Sequence, residues 1–248
     1  MPIKDRKLKI LLLLFFVSDF SFTPTEMTED LQKVFDISMN QKTKGTLSGL
    51  LKEGLIEKQE EEATKYILTQ KGLDGIFLEF PVFRFLHREW DGLWRIISYE
   101  IPEDQRHLRD RLRREMRGWG LGPWHRSFWL TPHPIISDLR NLIYGSPEEK
   151  YIQAFEATHM VGPMDVLVEK VWGKSALESA YRNLFKSWHE TLSTQKGNIE
   201  KFQDVVYSYI KIAREDPGLP ASLVGRTWIG FEALDIFKEI RSISLKIT

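Results

Sequence analysis

The sequence predicts an α+β protein built in three consecutive parts, and three observations carry that expectation. Through about residue 54, apolar residues recur mostly at helical spacing, then give way to two short strand-like segments around a polar tip. Residues 93–161 switch repeatedly between strand and helix patterns. From about 165 onward the periodicity is helical alone.

The first part, 1–80, opens with Lys4, Arg6, Lys7 and Lys9 ahead of an unbroken apolar run from Ile10 to Val17. That order superficially resembles a secretory leader, but the run is too short to span a bilayer. Ser18, Asp19 and Phe20 follow in place of a small-residue cleavage site. The stretch is therefore expected to be a buried helix over about 5–17, with no membrane partner. Thr23-Pro24 is a helix-start signal, since a proline in the first turn forfeits no hydrogen bond; the second helix is expected to reach about Phe35. In NQKTKGTLSGLLKEG (40–54) and just beyond it, Leu47, Leu50, Leu51 and Leu55 recur at helical spacing, and Gly54 marks the stop. Two strands are expected next, Leu55–Lys58 and Lys65–Thr69. Helix–turn–helix followed by a hairpin is the winged helix-turn-helix arrangement.

Within that arrangement the third helix is the candidate DNA reader. With its leucines packed inward, Gln41, Lys42, Lys44, Ser48 and Lys52 are left for double-stranded DNA, with Gly45 and Gly49 beside them. Charge works against this reading. The tip is Glu60-Glu61-Glu62, and residues 1–75 hold eleven basic against twelve acidic side chains, so the electrostatic contribution to DNA affinity is poor. A winged helix used for protein contacts is the alternative.

An aromatic linker, FPVFRFLHREW (80–90), leads into the second part, 81–164. In LWRIISYEIP both alternating sets are largely apolar, so a strand covered on both faces for part of its length is expected. Pro102 ends it, and Glu103 and Asp104 stand where a helix N-terminus favours negative charge. Leu108, Leu112, Met116 and Trp119 form the buried stripe of the helix that follows, which Gly118, Gly120 and Gly122 break. One strand is expected in PWHRSFWLTP, a helix over about 134–144 and a strand near 151–161. That alternation suggests a ferredoxin-like domain. Arg106, Arg109, Arg113 and Arg117 run beside the leucine stripe as a candidate anion site, for the phosphates of a coenzyme A thioester or of a DNA backbone. The plainer alternative is a solvated face paired with Glu103, Asp110 and Glu115, or with acidic groups across a dimer.

In the third part, 165–248, Leu177, Tyr181, Leu184 and Trp188 make one stripe; Phe202, Val205, Val206, Tyr209 and Ile210 make another. EDPGLPASL (215–223) is a turn, and a last helix is expected from about Gly230 to Ile240. Thirty-five basic and thirty-five acidic residues cancel, so bulk charge points to no polyanionic partner. The absence of cysteine removes thiolate chemistry and fits a reducing cytosol. The six histidines show no metal-ligand spacing, and GWGLG follows a helix where a dinucleotide fingerprint must follow a strand. No catalytic residue, metal or cofactor is expected. Five of the eight tryptophans fall in 90–129, where they read as core, with an aryl ligand on Trp94, Trp124 or Trp129 the minority alternative.

WDGLWRIISYEIPEDQRHLRDRLRREMRGWGLGPWHRSFWLTP (90–132) resembles the central domain of the PaaX-like transcriptional repressors of phenylacetic-acid degradation. Trp172, Leu177 and Tyr181, then DPGLP (216–220) with Trp228 and Gly230, resemble the C-terminal part of the same family. The resemblance implies a cytoplasmic, homodimeric repressor that binds operator DNA and is released by an aryl- or acyl-CoA effector such as phenylacetyl-CoA. One departure is Gly49, where the family usually shows an arginine. The family's central domain is in turn similar to the CRISPR-associated integration nucleases, which carry a metal-binding aspartate in a Tyr-Asp-Ile setting; here the triplet is Tyr99-Glu100-Ile101. A metal-dependent nuclease acting through Glu100 is the enzymatic alternative, and it needs a second carboxylate, for which Asp91 and Glu103 are the neighbours in sequence.

Overall fold

The computed structural model describes residues 3–18, 20, 22–60, 63–85, 88–125 and 127–245. The chain clusters into two compact units: Met1–Ile76 with Tyr181–Lys211 and Gly230–Thr248, and Phe77–Ala180 with Ile212–Ile229. The helical third part of the sequence thus contributes to both.

In the first unit, α1 (Arg6–Val17) starts on Asp5, whose carboxylate accepts from the Lys7 amide at 2.9 Å. Every residue from Ile10 to Phe16 is buried, which a helix achieves only when it is covered on more than one side. Contacts from α3 (Gln41–Lys52) and β3 (Thr64–Leu68) cover part of it. Phe16 meets Phe237 of α12 (Ile229–Leu245), with ring centroids 5.0 Å apart. Arg241, also on α12 and buried, donates to the carbonyls of Phe16 at 3.1 Å and Val17 at 2.9 Å. A cation thereby satisfies the last acceptors of α1, where the helix dipole favours positive charge. The leader-like run is the core of this unit.

Thr23-Pro24 does not begin a helix. Residues before a proline favour extended backbone, and here β1 (Thr25–Glu26) pairs with β3, Thr25 opposite Tyr66. The second helix, α2 (Glu29–Val34), starts on Thr28, whose hydroxyl accepts from the Leu31 amide at 3.4 Å. β2 (Ile56–Glu60) completes an antiparallel sheet of order β1-β3-β2. The stretch 70–79, with Gly72 and Gly75, carries no clear sequence signal, yet it forms α4 (Gln70–Glu79). Gly72 is needed there because a Cβ would lie 2.1 Å from the Leu55 carbonyl oxygen. Helices α9 (Lys174–Leu192) and α10 (Asn198–Ala213) bring the two expected stripes together on α12. Trp188 meets Tyr209 at 5.8 Å, and Tyr209 meets Phe237 at 4.8 Å.

In the second unit, the short helix α5 (Pro81–Phe85) falls within the expected linker. Then come β4 (Trp94–Tyr99), a 3₁₀ turn at Glu103–Gln105, α6 (Arg106–Gly118), β5 (Gly122–His125), β6 (Phe128–Thr131), α7 (Ile136–Ile143) and β7 (Ile152–Ala157). The antiparallel sheet has the order β5-β6-β4-β7, so the βαββαβ chain gives the ferredoxin-like arrangement. The single strand expected in PWHRSFWLTP is instead a hairpin, β5 with β6, irregular between Pro123 and His125. Ile97, Tyr99, Trp129 and Ile152 form the inner face against Leu112, Met116 and Leu139 of α6 and α7. On the outer face, Trp94 stacks with Trp172 of α8 (Met164–Trp172) at 5.9 Å.

The glycines of GWGLG are packing residues. A Cβ at Gly118 would lie 2.7 Å from the Leu78 Cα, and one at Gly122 would lie 2.4 Å from the Val171 Cγ1. Gly120 has φ +70°, and a Cβ there would stand 2.6 Å from the Pro217 carbonyl oxygen. That same carbonyl lies 3.3 Å from His133 Nε2. The two motifs that drew notice in sequence, GWGLG and DPGLP, therefore meet across one buried histidine. A second short helix, α11 (Ala221–Val224), follows DPGLP.

Candidate nucleic-acid interface and arginine helix

α3 begins at Asn40, whose side chain accepts from the Thr43 amide at 3.0 Å. Thr43, Leu47 and Leu50 are buried, while Gln41, Lys42, Lys44, Ser48 and Lys52 are all exposed. At about 100° per residue, these five fall within one continuous arc of roughly 160°. Lys42, Lys44 and Lys52 form no ion pair among the described residues, whereas the neighbouring Glu53 is held by Lys7. The helix thus shows a locally positive face, although the region as a whole is not basic. In the hairpin, Glu60 is held by Lys58, which keeps its carboxyl below the ordinary range. The rest of the acidic tip, Glu61 and Glu62, lies outside the described residues.

The four arginines of α6 separate in role. Arg109 grips Glu103 through two bonds of 2.7 and 3.1 Å, and its guanidinium holds the Glu103 carboxyl below the ordinary range. Arg106 stands 3.6 Å from Asp110. Arg113 donates from Nε to the Tyr99 hydroxyl at 2.7 Å, with its guanidinium over the same ring at 5.8 Å. Arg117 is exposed and shares with Arg113, Arg114 and Arg214 a cleft of about 470 Å³. Asp110, Glu79 and Glu215 also line that cleft, and Arg214 is paired with Glu79 at 3.3 Å. The stripe therefore holds together in space, but three of its members already have partners.

Glu100 is exposed just past β4, its amide bonded to the Tyr151 carbonyl at 3.0 Å. The two carboxylates nearest in sequence are committed elsewhere: Asp91 to Arg95 at 2.8 and 2.6 Å, and Glu103 to Arg109. Among the described residues, no three His, Asp or Glu side chains group as a metal ion would require.

The tryptophans divide as their positions in the sheet dictate. Trp119 and Trp129 belong to the inner core, Trp94 is buried on the outer face, and Trp124 is 38% exposed. His125 is exposed at the end of β5. His133 is buried and stacks on Phe85 at 3.5 Å with the planes 3° apart. Burial pushes its pKa down to about 3. The neutral ring faces a carbonyl acceptor at Pro217, which makes Nε2–H the tautomer that fits.

A ferredoxin-like sheet, an N-terminal three-helix segment with an antiparallel hairpin, and long C-terminal helices define a multipart α+β protein. No helix among the described residues is long and apolar enough to cross a membrane. Residues 87–166 match the PaaX protein central Cas2-like domain, and residues 172–246 match the PaaX-like protein C-terminal domain. Together the two matches span more than half of the chain, which belongs to the PaaX-like family. No curated protein matches it. A solved structure, the uncharacterized protein Rv0674 from Mycobacterium tuberculosis, is similar over 96% of this chain and 94% of that one, with TM-score 0.61 and 18% identity. At that identity the likeness concerns the fold.

Proposed function

We propose that the protein is a cytoplasmic, DNA-binding transcription regulator that acts as a repressor and without catalysis. Its N-terminal part works as a winged helix: α2 and α3 form the helix–turn–helix and β2–β3 the wing. The observation that carries this reading is the exposed arc of Gln41, Lys42, Lys44, Ser48 and Lys52 on α3, with three uncompensated lysines, in a chain of this family. A dimer presents two such helices to related half-sites about one helical turn apart. An aryl- or acyl-CoA effector releases the DNA by binding the DNA-incompetent arrangement more tightly, its phosphates drawn to Arg117 and the neighbouring arginines of α6.

Purified protein should retard DNA from upstream of its own gene, with affinity that falls steeply as salt rises. Lys42→Ala with Lys44→Ala should weaken binding and lower the salt slope by about two, one for each lost phosphate contact. Unchanged binding by the double variant would remove α3 from the interface. Retention of no DNA even at low salt would instead favour a protein-interaction adaptor. Mg²⁺-dependent cleavage abolished by Glu100→Ala would favour the nuclease alternative.

A further inference from the structure

The outer face of the central sheet carries an apolar pocket of about 340 Å³ that neither the DNA-reading helix nor the arginine helix uses. Its floor is Ile96 of β4 and Leu130 of β6, opposite each other in register. Trp94, Trp124 and Val166 of α8 also line it. The volume sits at the lower end of the range usual for small-molecule sites, about 300–1,000 Å³. At the rim, Met160, Val161 and Val166 are 82%, 90% and 58% exposed, a concentration of apolar surface that needs an occupant.

Three features say which occupant. No carboxylate lines the pocket; its ionisable members are Lys170 and His159. Lys170 forms no ion pair among the described residues, and the adjacent Glu169 accepts from the Ser175 amide and hydroxyl at 2.9 Å each. Trp94 is buried and stacked on Trp172, so Trp124, 38% exposed, is the indole that the pocket leaves open. An apolar interior with an open aromatic wall and an uncompensated ammonium at the edge is complementary to one ligand chemistry. We propose that this pocket binds a small apolar carboxylate, an aromatic ring or short alkyl chain lying against the Trp124 indole with its anionic end at Lys170. The inference is independent of DNA binding and places a ligand away from the arginines of α6.

The test uses the intact protein and 1-anilinonaphthalene-8-sulfonate, displaced by naphthalene-2-carboxylate or octanoate. One saturable site per chain is expected. Val166→Trp, at an exposed position, should fill the pocket and abolish binding with no change in circular dichroism or thermal midpoint. Lys170→Gln should weaken naphthalene-2-carboxylate about tenfold, the loss of one charge-assisted contact, and leave the neutral naphthalene-2-methanol within about twofold. Should Val166→Trp prove destabilising, Trp124→Ala at its exposed position offers a second variant that should weaken both ligands. The proposal is overturned by dye binding indifferent to Val166→Trp and Trp124→Ala, or by equal weakening of acid and alcohol in Lys170→Gln. It is also overturned if the dye fails to bind and the protein is a dimer that Met160→Asp dissociates, which would assign the surface to a second copy.

Discussion

His133 lies flat on Phe85, with one ring nitrogen committed to the Pro217 carbonyl, and it has no room for a charge. The consequence is a pH dependence of stability. The unfolded histidine titrates near 6.5, the folded one at about 3. Below about pH 6.5 the unfolded chain therefore gains a proton that the folded chain refuses, and stability falls with pH until about 3. The slope approaches 1.4 kcal/mol per pH unit, so about 2 kcal/mol should be lost between pH 7 and 5. Urea unfolding at the two pH values should show this loss. His133→Gln, which keeps an N–H donor but does not titrate, should remove that component. A wild-type slope retained by the variant would place its origin elsewhere.

Among the elements, Gly120 joins the α6–β5 turn to the DPGLP segment. It combines positive φ with a backbone approach that leaves no space for a methyl group. Gly120→Ala should destabilise the protein by about 3 kcal/mol or more, from strain and overpacking together, whereas Gly145→Ala, with positive φ but open space around it, should cost about 1 kcal/mol. Thermal unfolding of the two variants separates the contributions. These glycines also show what was legible in sequence. The motif is visible as a string of glycines, but the partners that require them, Leu78, Val171 and Pro217, lie far off in sequence, so the string invites a local explanation such as a phosphate loop. The helical stripes of α6, α9 and α10 were readable because one face of each is buried. The hairpin β5–β6 was not, since no glycine or proline stands in His125-Arg126-Ser127 and each strand is only four residues long. α4 escaped notice for the opposite reason: Gly72 and Gly75 weaken the helix signal, and tertiary approach to Leu55 explains the first of them. At the candidate interface, the exposed arc of α3 was legible from its leucine spacing. The pairing of Arg109 with Glu103 and of Arg106 with Asp110 was legible as well, because both are local. The contact of Arg113 with Tyr99 and the outer-sheet pocket were not, because they depend on how helices and strands distant in sequence pack.

For the molecule as a whole, sequence order and spatial grouping differ. The first unit is assembled from both ends of the chain. Phe16 packs on Phe237, Arg241 caps α1, and Gln203 and Tyr207 of α10 donate to Asp36 just past α2, at 2.8 and 3.0 Å. A fragment of residues 1–80 should therefore lack a cooperative thermal transition, since the apolar side chains of Ile10–Phe16 would be left partly in water. Supplying residues 174–248 in trans should restore some ordered helix, measurable by circular dichroism. A fragment 1–80 that unfolds cooperatively alone would show that the C-terminal helices are dispensable to it.

The placement of α12 over α1 also imposes an order of events during synthesis. The apolar helix α1 leaves the ribosome well before α12, the helix that covers and caps it. Closing such a long loop is slow, and until it closes the hydrophobic run is available to chaperones or to aggregation. A nascent chain interrupted before residue 229 would carry every side chain of the α3 arc and still lack the surface on which the unit closes. On the proposed reading, only copies extended through α12 would occupy an operator, so the geometry of one helix pair doubles as a test that translation has passed that helix.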